Sequence, residues 1–441
     1  MGSCKVYKTY ERPDNLSVSS SYRDTVQESD TTTLASLSWK ELFTDSHLQK
    51  LITSGLERNT DLQIAYLRVE EAEAVLMSSR LAYLPSVSLS PQGTLSSFDG
   101  SKPSKTYSLA ASASWEIDIF GKLTNTKRES VMALESSKAY QQAVQTRLIA
   151  TIANSYYTLL MLDRQLSINM STLDNWNSSI KAMESLKRAG QMNDAGILQA
   201  KANRLSLESS ILQVKRSINE TENSLSSLLG IEPQSIERGV LDGQYFPENL
   251  SIGIPLQLLG NRPDVRQAEF DFAKSFYSTN VARSAFYPSI TLNGSAGWTN
   301  SAGSAIVNPG KVLLSAVGSL VQPVFNKGIN TANLKIAKVQ QQEALLLFQQ
   351  SILDAGLEVN DALVQWQTAD NQIQIGEQQL ETLKEAVRKT ELLMKHSSTN
   401  YLEVLTAQQS LLRAEQTQAQ NRFDKIQGVV NLYHALGGGI E

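Results

Sequence analysis

From Tyr107 to Phe120 the chain alternates. Tyr107, Leu109, Ala111, Ala113, Trp115, Ile117 and Ile119 fall on one face, and Ser108, Ala110, Ser112, Ser114, Glu116 and Asp118 on the other. A period of two predicts a strand with one apolar and one small polar face. Just before it, Val87, Leu89 and Leu95 alternate with Ser86, Ser88, Ser90, Gln92 and Thr94, and the stretch from Asp99 to Lys105 predicts the loop of a hairpin. Farther on, Ile290, Leu292, Ala296 and Trp298 alternate with Thr291, Asn293 and Ser295, and Val312 to Val324 supplies a weaker partner. Four strands are expected, at about 85–97, 106–119, 289–300 and 312–324.

Between the hairpins the pattern is helical. Asp61–Tyr83 and Asp264–Tyr287 hold no glycine or proline and end at Pro85 and Pro288. Leu123 to Ala189 runs 67 residues without either, about 100 Å of helix at about 1.5 Å per residue. Thr331 to Lys395 is nearly as long, with Gly356 and Gly376 expected to interrupt it, and Ala195–Leu229 and Tyr401–Leu436 read as return helices.

The order helix, hairpin, very long helix, return helix therefore occurs twice. A shift of 203 to 207 positions lays Asp61-Leu62 on Asp264-Val265, Tyr83-Leu84-Pro85-Ser86-Val87 on Phe286-Tyr287-Pro288-Ser289-Ile290, Phe120 on Phe325, Leu198 on Leu405 and Leu229-Gly230 on Leu436-Gly437. Two copies of one plan follow: repeat 1 at 38–230 and repeat 2 at 261–441, with 1–37 an N-terminal extended segment and 231–260 an inter-repeat segment.

Composition narrows the function. The 40 basic and 44 acidic residues nearly cancel, so no nucleic-acid partner is expected. Cys4 is the single cysteine, and His47, His396 and His434 lie far apart, which leaves zinc, disulfide and hydrolytic chemistry without parts. Neither a cofactor nor a catalytic activity is expected. No window reaches the roughly 18 to 20 apolar residues of a spanning helix, so a membrane crossing would be made by strands. Tyr107, Trp115 and Trp298 would then face lipid as interface aromatics, whereas packing in a soluble core is the competing explanation of the same alternation. Four strands cannot close a barrel. Two chains would give eight strands and a filled lumen; three would give twelve and a water-filled passage. Cys4 carries two readings, an inert thiol in a frayed terminus or a lipid-modified residue exposed by removal of a signal peptide, and its position alone favours neither.

Several strings carry a resemblance. Trp39-Lys40-Glu41-Leu42-Phe43 with Asn59-Thr60-Asp61-Leu62, WEIDIFGK at 115–122, NRPDVRQAE at 261–269, QPVFNKG at 322–328 and LGGG at 436–439 resemble, in this order, the outer-membrane efflux protein family of the TolC and OprM type over essentially the whole chain. CKVYKTYERP at 4–13 is similar to the mature start of its lipoprotein branch, which implies acylation of Cys4. The resemblance implies a mixed α and membrane β-barrel fold. A homotrimer would form a twelve-stranded barrel and an α-helical cylinder, lipid-anchored in the cell outer membrane and projecting into the periplasm, with residues 231–260 as a belt. It implies a passive exit duct for small toxic molecules, fed by an inner-membrane transporter through a periplasmic adaptor protein. A duct for protein or peptide secretion is the alternative, and a structural coiled-coil scaffold a remote third.

The resemblance also assigns roles. The turns far from the barrel, Leu186, Arg188, Gly190, Met192 and Asn193 in the first copy and Met394, Ser397, Ser398 and Thr399 in the second, would dock the adaptor. Gly190 is the natural helix stop, and Lys187 and Arg188 equally suit a helix C-terminal dipole. Glu403 matches a family acidic position, so three copies would ring the closed periplasmic mouth and attract cations. The second such position is Thr406 here, which lowers the charge of the ring. The competing reading of Glu403 is a carboxylate favouring a helix N-terminus.

Overall fold

The structure is a computed structural model and describes residues 7, 9–13, 34, 37–190, 193–244, 246, 262–299, 313–395 and 401–440. Eight helices and four strands are found among them: α1 Trp39–Leu42, α2 Ser46–Arg58, α3 Thr60–Leu81, β1 Ser86–Ser96, β2 Ser104–Ile117, α4 Lys122–Arg188, α5 Asp194–Leu228, α6 Pro263–Ser284, β3 Ser289–Thr299, β4 Leu313–Val321, α7 Ile329–Lys395 and α8 Tyr401–Ala435. None of these helices is long and apolar enough to cross a membrane.

The chain forms two compact units, and each draws on both repeats. Unit 1 comprises Met1–Leu16, Tyr66–Tyr140 and Asp264–Ser351; unit 2 comprises Ser17–Ala65, Gln141–Pro263 and Ile352–Glu441.

In unit 1 the strands form one antiparallel sheet in the order β1-β2-β3-β4. Hairpin β1–β2 turns through Asp99 and Gly100, both at positive φ. Strand β2 then pairs with β3, joining the two copies. The helices of the unit stand in matching order. Ser79 bonds Ser130 at 2.7 Å between α3 and α4, Ser136 donates to Asp271 at 2.8 Å between α4 and α6, and Thr279 donates to the Ala337 carbonyl at 3.2 Å between α6 and α7. Each strand is thus continuous in sequence with a helix of the same rank. Among the described residues, β1 and β4 are the edge strands, and the helices continuous with them, α3 and α7, carry exposed Leu67, Met77, Leu81, Leu346 and Leu347.

Unit 2 shows the row α5–α4–α8–α7. Lys201 of α5 meets Glu184 of α4 at 2.7 Å, Gln416 of α8 donates to Asn169 of α4 at 2.7 Å, and Lys425 of α8 meets Asp370 of α7 at 2.6 Å. Leu198, Leu205 and Leu212 form an exposed stripe at seven-residue spacing on α5, the outer member of this row. The core gathers around α2 and the middle of α4, where Leu48, Ile52, Ile152, Tyr156 and Tyr157 are fully buried.

Two expectations need correction. Helix α7 continues through Gly356 and Gly376. A lone glycine costs a helix only about 1 kcal/mol, and Gly376 has a packing reason: a Cβ there would collide with the side chain of Gln418, which donates to the Ile373 carbonyl at 3.1 Å. No helix is expected before Asp61, yet α1 and α2 are present. Ser38 and Glu41 form a reciprocal capping box on α1, and Asp45 accepts from the His47 amide to cap α2.

Candidate functional site

The sheet has two chemically different faces because its register aligns like with like. Ser86 lies opposite Ser114, Ser88 opposite Ser112, Ser112 opposite Ser295, and Ser295 opposite Ser315. The hydroxyls bond across strands, Ser88 to Ser112 at 2.8 Å and Thr291 to Ser319 at 2.5 Å. This face forms a shallow hollow of about 220 Å³ lined by Ser88, Ser112, Asn293, Ser295 and Ser315. The opposite face carries Val87, Leu89, Leu109, Leu292, Leu314 and Leu320, all more than a third exposed.

Tyr107, Trp115 and Trp298 lie on that apolar face, each 41–48% exposed. Trp298 is opposite Leu109, close in level to Tyr107, and Trp115 is opposite Leu292, next to the helices. The eight residue steps from Tyr107 to Trp115 span about 26 Å of strand, close to the roughly 25 Å apolar band of a membrane barrel. Trp115 Nε1 donates to the Tyr83 carbonyl at 2.9 Å, so its polar end is satisfied while its ring stays exposed.

The strand-to-helix exit explains WEIDIFGK. Asp118 accepts from the Leu123 and Thr124 amides at 2.9 and 2.8 Å and so starts α4, Gly121 takes positive φ, and Lys122 pairs with Glu116 at 2.9 Å. The N-terminal string docks in the same unit. Tyr10 packs edge-on against Phe272 and Phe276, Arg12 lies over the Phe348 ring and 3.6 Å from Glu269, and Tyr7 is held beside Gly121. Cys4 lies outside the described residues.

At the far turn α4 ends as expected, with Gly190 at φ 75° and its amide donating to the Lys187 carbonyl at 2.9 Å. Lys187 bonds Asp194, and Arg188 donates to Ser185 at 2.8 Å. Arg188 and Gly190 are therefore exposed, and Leu186 half-buried, around a pinned turn. Asn193 precedes α5 in an extended conformation, without a side-chain cap bond. Met394 sits in the last turn of α7; Met192, Ser397, Ser398 and Thr399 lie outside the described residues.

Glu403 and Thr406 are exposed one turn apart at the start of α8, while Val404 and Leu405 are buried behind them. Leu405 joins Ile180, Met183, Ile197 and Ala200 in a core that ties α8 to α4 and α5. Sequence reasoning missed the next contact: the Tyr401 ring lies on Gly196, where no Cβ fits. Its only signal was the glycine two residues into α5.

Two other functional strings are structural clasps. Asn59 donates to the Leu228 carbonyl at 2.9 Å at the end of α5, and Arg262 donates to the Ala435 carbonyl at 2.9 Å at the end of α8. The two donors stand 203 apart and the two acceptors 207 apart, so the repeat offset was the signal for this device. Inter-repeat residues are bound just as firmly. Arg238 bonds Asp163 and Glu222 at 2.5 Å each, and Asp242 pairs with Arg164 at 3.7 Å and with Arg422. The two carboxylates hold the Arg238 guanidinium charged, its pKa raised by the Asp163 bond above all.

A family model described as outer membrane efflux protein matches residues 51–231 and 254–438. The chain is similar to the cation efflux system protein CusC of Escherichia coli O157:H7, 31% identical over 411 residues that cover 91% of this chain and 88% of the relative. It is also similar to the probable outer membrane lipoprotein SilC of Salmonella typhimurium, 29% identical over 404 residues with the same coverage. Among solved structures, that of CusC, concerned with folding and transmembrane channel formation, matches with a TM-score of 0.89 at 28% identity, covering 98% of this chain and 100% of that one. The open state of the Neisseria gonorrhoeae MtrE outer membrane channel matches with a TM-score of 0.88 at 28% identity, covering 98% of both.

Proposed function

The chain belongs to the outer membrane efflux protein family, and we propose that it serves as the outer-membrane exit duct of a tripartite efflux system, passing small toxic molecules passively and without chemistry of its own. The observation that carries this is the four-stranded sheet with one hydroxyl face, one apolar face and two edges unpaired among the described residues. In lipid an open edge is not tolerated. Three copies close a barrel of about twelve strands if β1 of one pairs with β4 of the next, a head-to-tail contact that closes into a ring. The hydroxyl face then lines water and the apolar face meets lipid. The exposed aliphatics of α3, α5 and α7 are covered in the same step, as the helices complete the cylinder.

Residue roles follow from this arrangement. Trp115 forms one aromatic girdle, Tyr107 and Trp298 the other. Cys4 carries the acyl anchor, separated from Tyr7 by about 10 Å of chain at full extension. Leu186, Arg188, Gly190, Met192, Asn193, Met394, Ser397, Ser398 and Thr399 dock a periplasmic adaptor, behind which stands an inner-membrane transporter. Three copies of Glu403 form a carboxylate ring at the mouth, with Thr406 as its uncharged neighbour. The relatives' names span cations and solvents, in keeping with a wall of hydroxyls that reads little of its cargo.

Conductance across a planar bilayer tests the reading. The purified parent is expected to give discrete channel steps. Multivalent cations added on the helical side are expected to block Glu403→Ala at concentrations at least about threefold higher than the parent, as for loss of a carboxylate from a ring. Equal blockade removes the ring and leaves the duct; a parent that never conducts removes the duct.

A further inference from the structure

At the foot of β2 and β3, in unit 1, a cavity of about 560 Å³ opens where strands pass into helices. Its size falls within the roughly 300–1,000 Å³ range of small-molecule sites. The lining combines three kinds of group. Phe120 and Tyr287 stack face to face, 5.2 Å apart and 17° from parallel, and offer an aromatic wall. Asn330, Asn333 and Gln340 of α7 add amides. Glu116 supplies a carboxylate, both of whose oxygens receive the Lys122 ammonium, at 2.9 and 3.2 Å. Asp118 also borders the cavity, but its oxygens are spent on the Leu123 and Thr124 amides and the Thr124 hydroxyl. Glu116 is thus the carboxylate paired, among the described residues, with an exposed and exchangeable cation, Lys122.

The side on which the cavity opens follows from helix geometry. Glu269, Phe272 and Phe276 of α6 hold the N-terminal arm, whereas Ser278, Val281 and Ala282 of the same helix face the cavity. At 3.6 residues per turn these two sets lie on roughly opposite sides of α6. Glu116 and Ser289, which also line the cavity, belong to the hydroxyl face of the sheet by register.

We propose that this cavity is a resting site for cargo that is both cationic and flat aromatic, with Glu116 as its counter-charge, the Phe120–Tyr287 stack as its platform and Lys122 as the built-in competitor that keeps its stay short. The proposal rests on the exit-duct reading, in which the hydroxyl face lines the passage. A conduction path needs sites weak enough to release what they hold, and an internal ammonium that returns to Glu116 supplies that release. A cation over an aromatic face gains from the ring quadrupole as well as from the carboxylate.

Ethidium, a flat aromatic monocation, is the probe, titrated by fluorescence anisotropy into the assembled protein in detergent against empty micelles, with neutral phenanthridine as the control. Glu116→Gln is expected to weaken ethidium by about tenfold, as for loss of a charge-assisted contact. Tyr287→Ala should weaken it about threefold. Lys122→Gln should tighten it about threefold, the worth of an exposed ion pair. Phenanthridine should not separate parent, Glu116→Gln and Lys122→Gln. Ethidium affinities within twofold of the parent for both Glu116→Gln and Lys122→Gln would overturn the site, as would weaker binding in Lys122→Gln. If Glu116→Gln fails to assemble, Lys122→Gln decides alone, because misfolding does not tighten a site. A parent that conducts in a bilayer while its ethidium affinity ignores both substitutions counts against the cavity only; a parent that does not conduct counts against the duct.

Discussion

Asn59 and Arg262 hold equivalent places in the two copies and close the same joint with different chemistry. Asn59 uses its amide twice, donating to the Leu228 carbonyl and accepting from the Leu62 amide at 3.0 Å. Arg262 is 3% exposed, caps Ala435 and pairs with Glu358 at 2.7 Å, while Pro263 takes the first helical position, where no amide is needed. A buried guanidinium at a helix C-terminus is worth more than an amide there. Arg262→Ala should therefore cost about 2 kcal/mol and Asn59→Ala about 1 kcal/mol, so thermal unfolding of the assembled protein in detergent should shift further for the arginine; an equal or reversed order would mean the second joint is held elsewhere. Asp45 gives a pH prediction. Burial alone would raise its pKa, but bonds from the Tyr156 hydroxyl, the Gln244 amide and the His47 backbone together bring it below the usual value. A lowered folded pKa stabilises above the unfolded pKa, near 4, and that stability is lost as pH falls through the folded value. Between pH 5 and pH 3, about the range where aspartate protonates, the parent should lose more thermal stability than Asp45→Asn. Parallel pH curves would show that Asp45 does not titrate with folding.

Elements were legible in proportion to how local their causes are. The strand alternation at Tyr107–Phe120 needed no neighbour to be read, and β2 forms at Ser104–Ile117, shifted two residues toward the N-terminus from the expected 106–119. The longest uninterrupted helical stretch announced itself by lacking glycine and proline, and α4 spans Lys122–Arg188. What could not be read depends on side chains far away in sequence. Gly376 looks like an interruption until Gln418 of another helix is seen against it, and Gly196 looks like any early helical glycine until the Tyr401 ring covers it. The capping box of Ser38 and Glu41 was local, but it opens a four-residue helix too short to show a period. Gly196→Ala tests the tip. The added methyl must push Tyr401 off α5, at a cost of about 1–3 kcal/mol for overpacking, and should make the far turn cleave faster in limited proteolysis. Tyr401→Ala in the same chain should recover part of the loss; no recovery would mean the glycine matters for a reason other than this ring.

The whole molecule is incomplete as one chain, and its two kinds of edge say so together. Unit 1 leaves the outer edges of β1 and β4 unpaired among the described residues, and exposed leucines mark α3, α5 and α7. The internal repeat made the number of strands readable, whereas the number of copies came from closure: about eight strands fill a barrel and about twelve open it. The mass of the protein component in detergent, measured by light scattering, tests this most directly. The account predicts three chains per particle, stable only with detergent present. A monomer or dimer that stays soluble without detergent would contradict the closed barrel, and the exit duct with it.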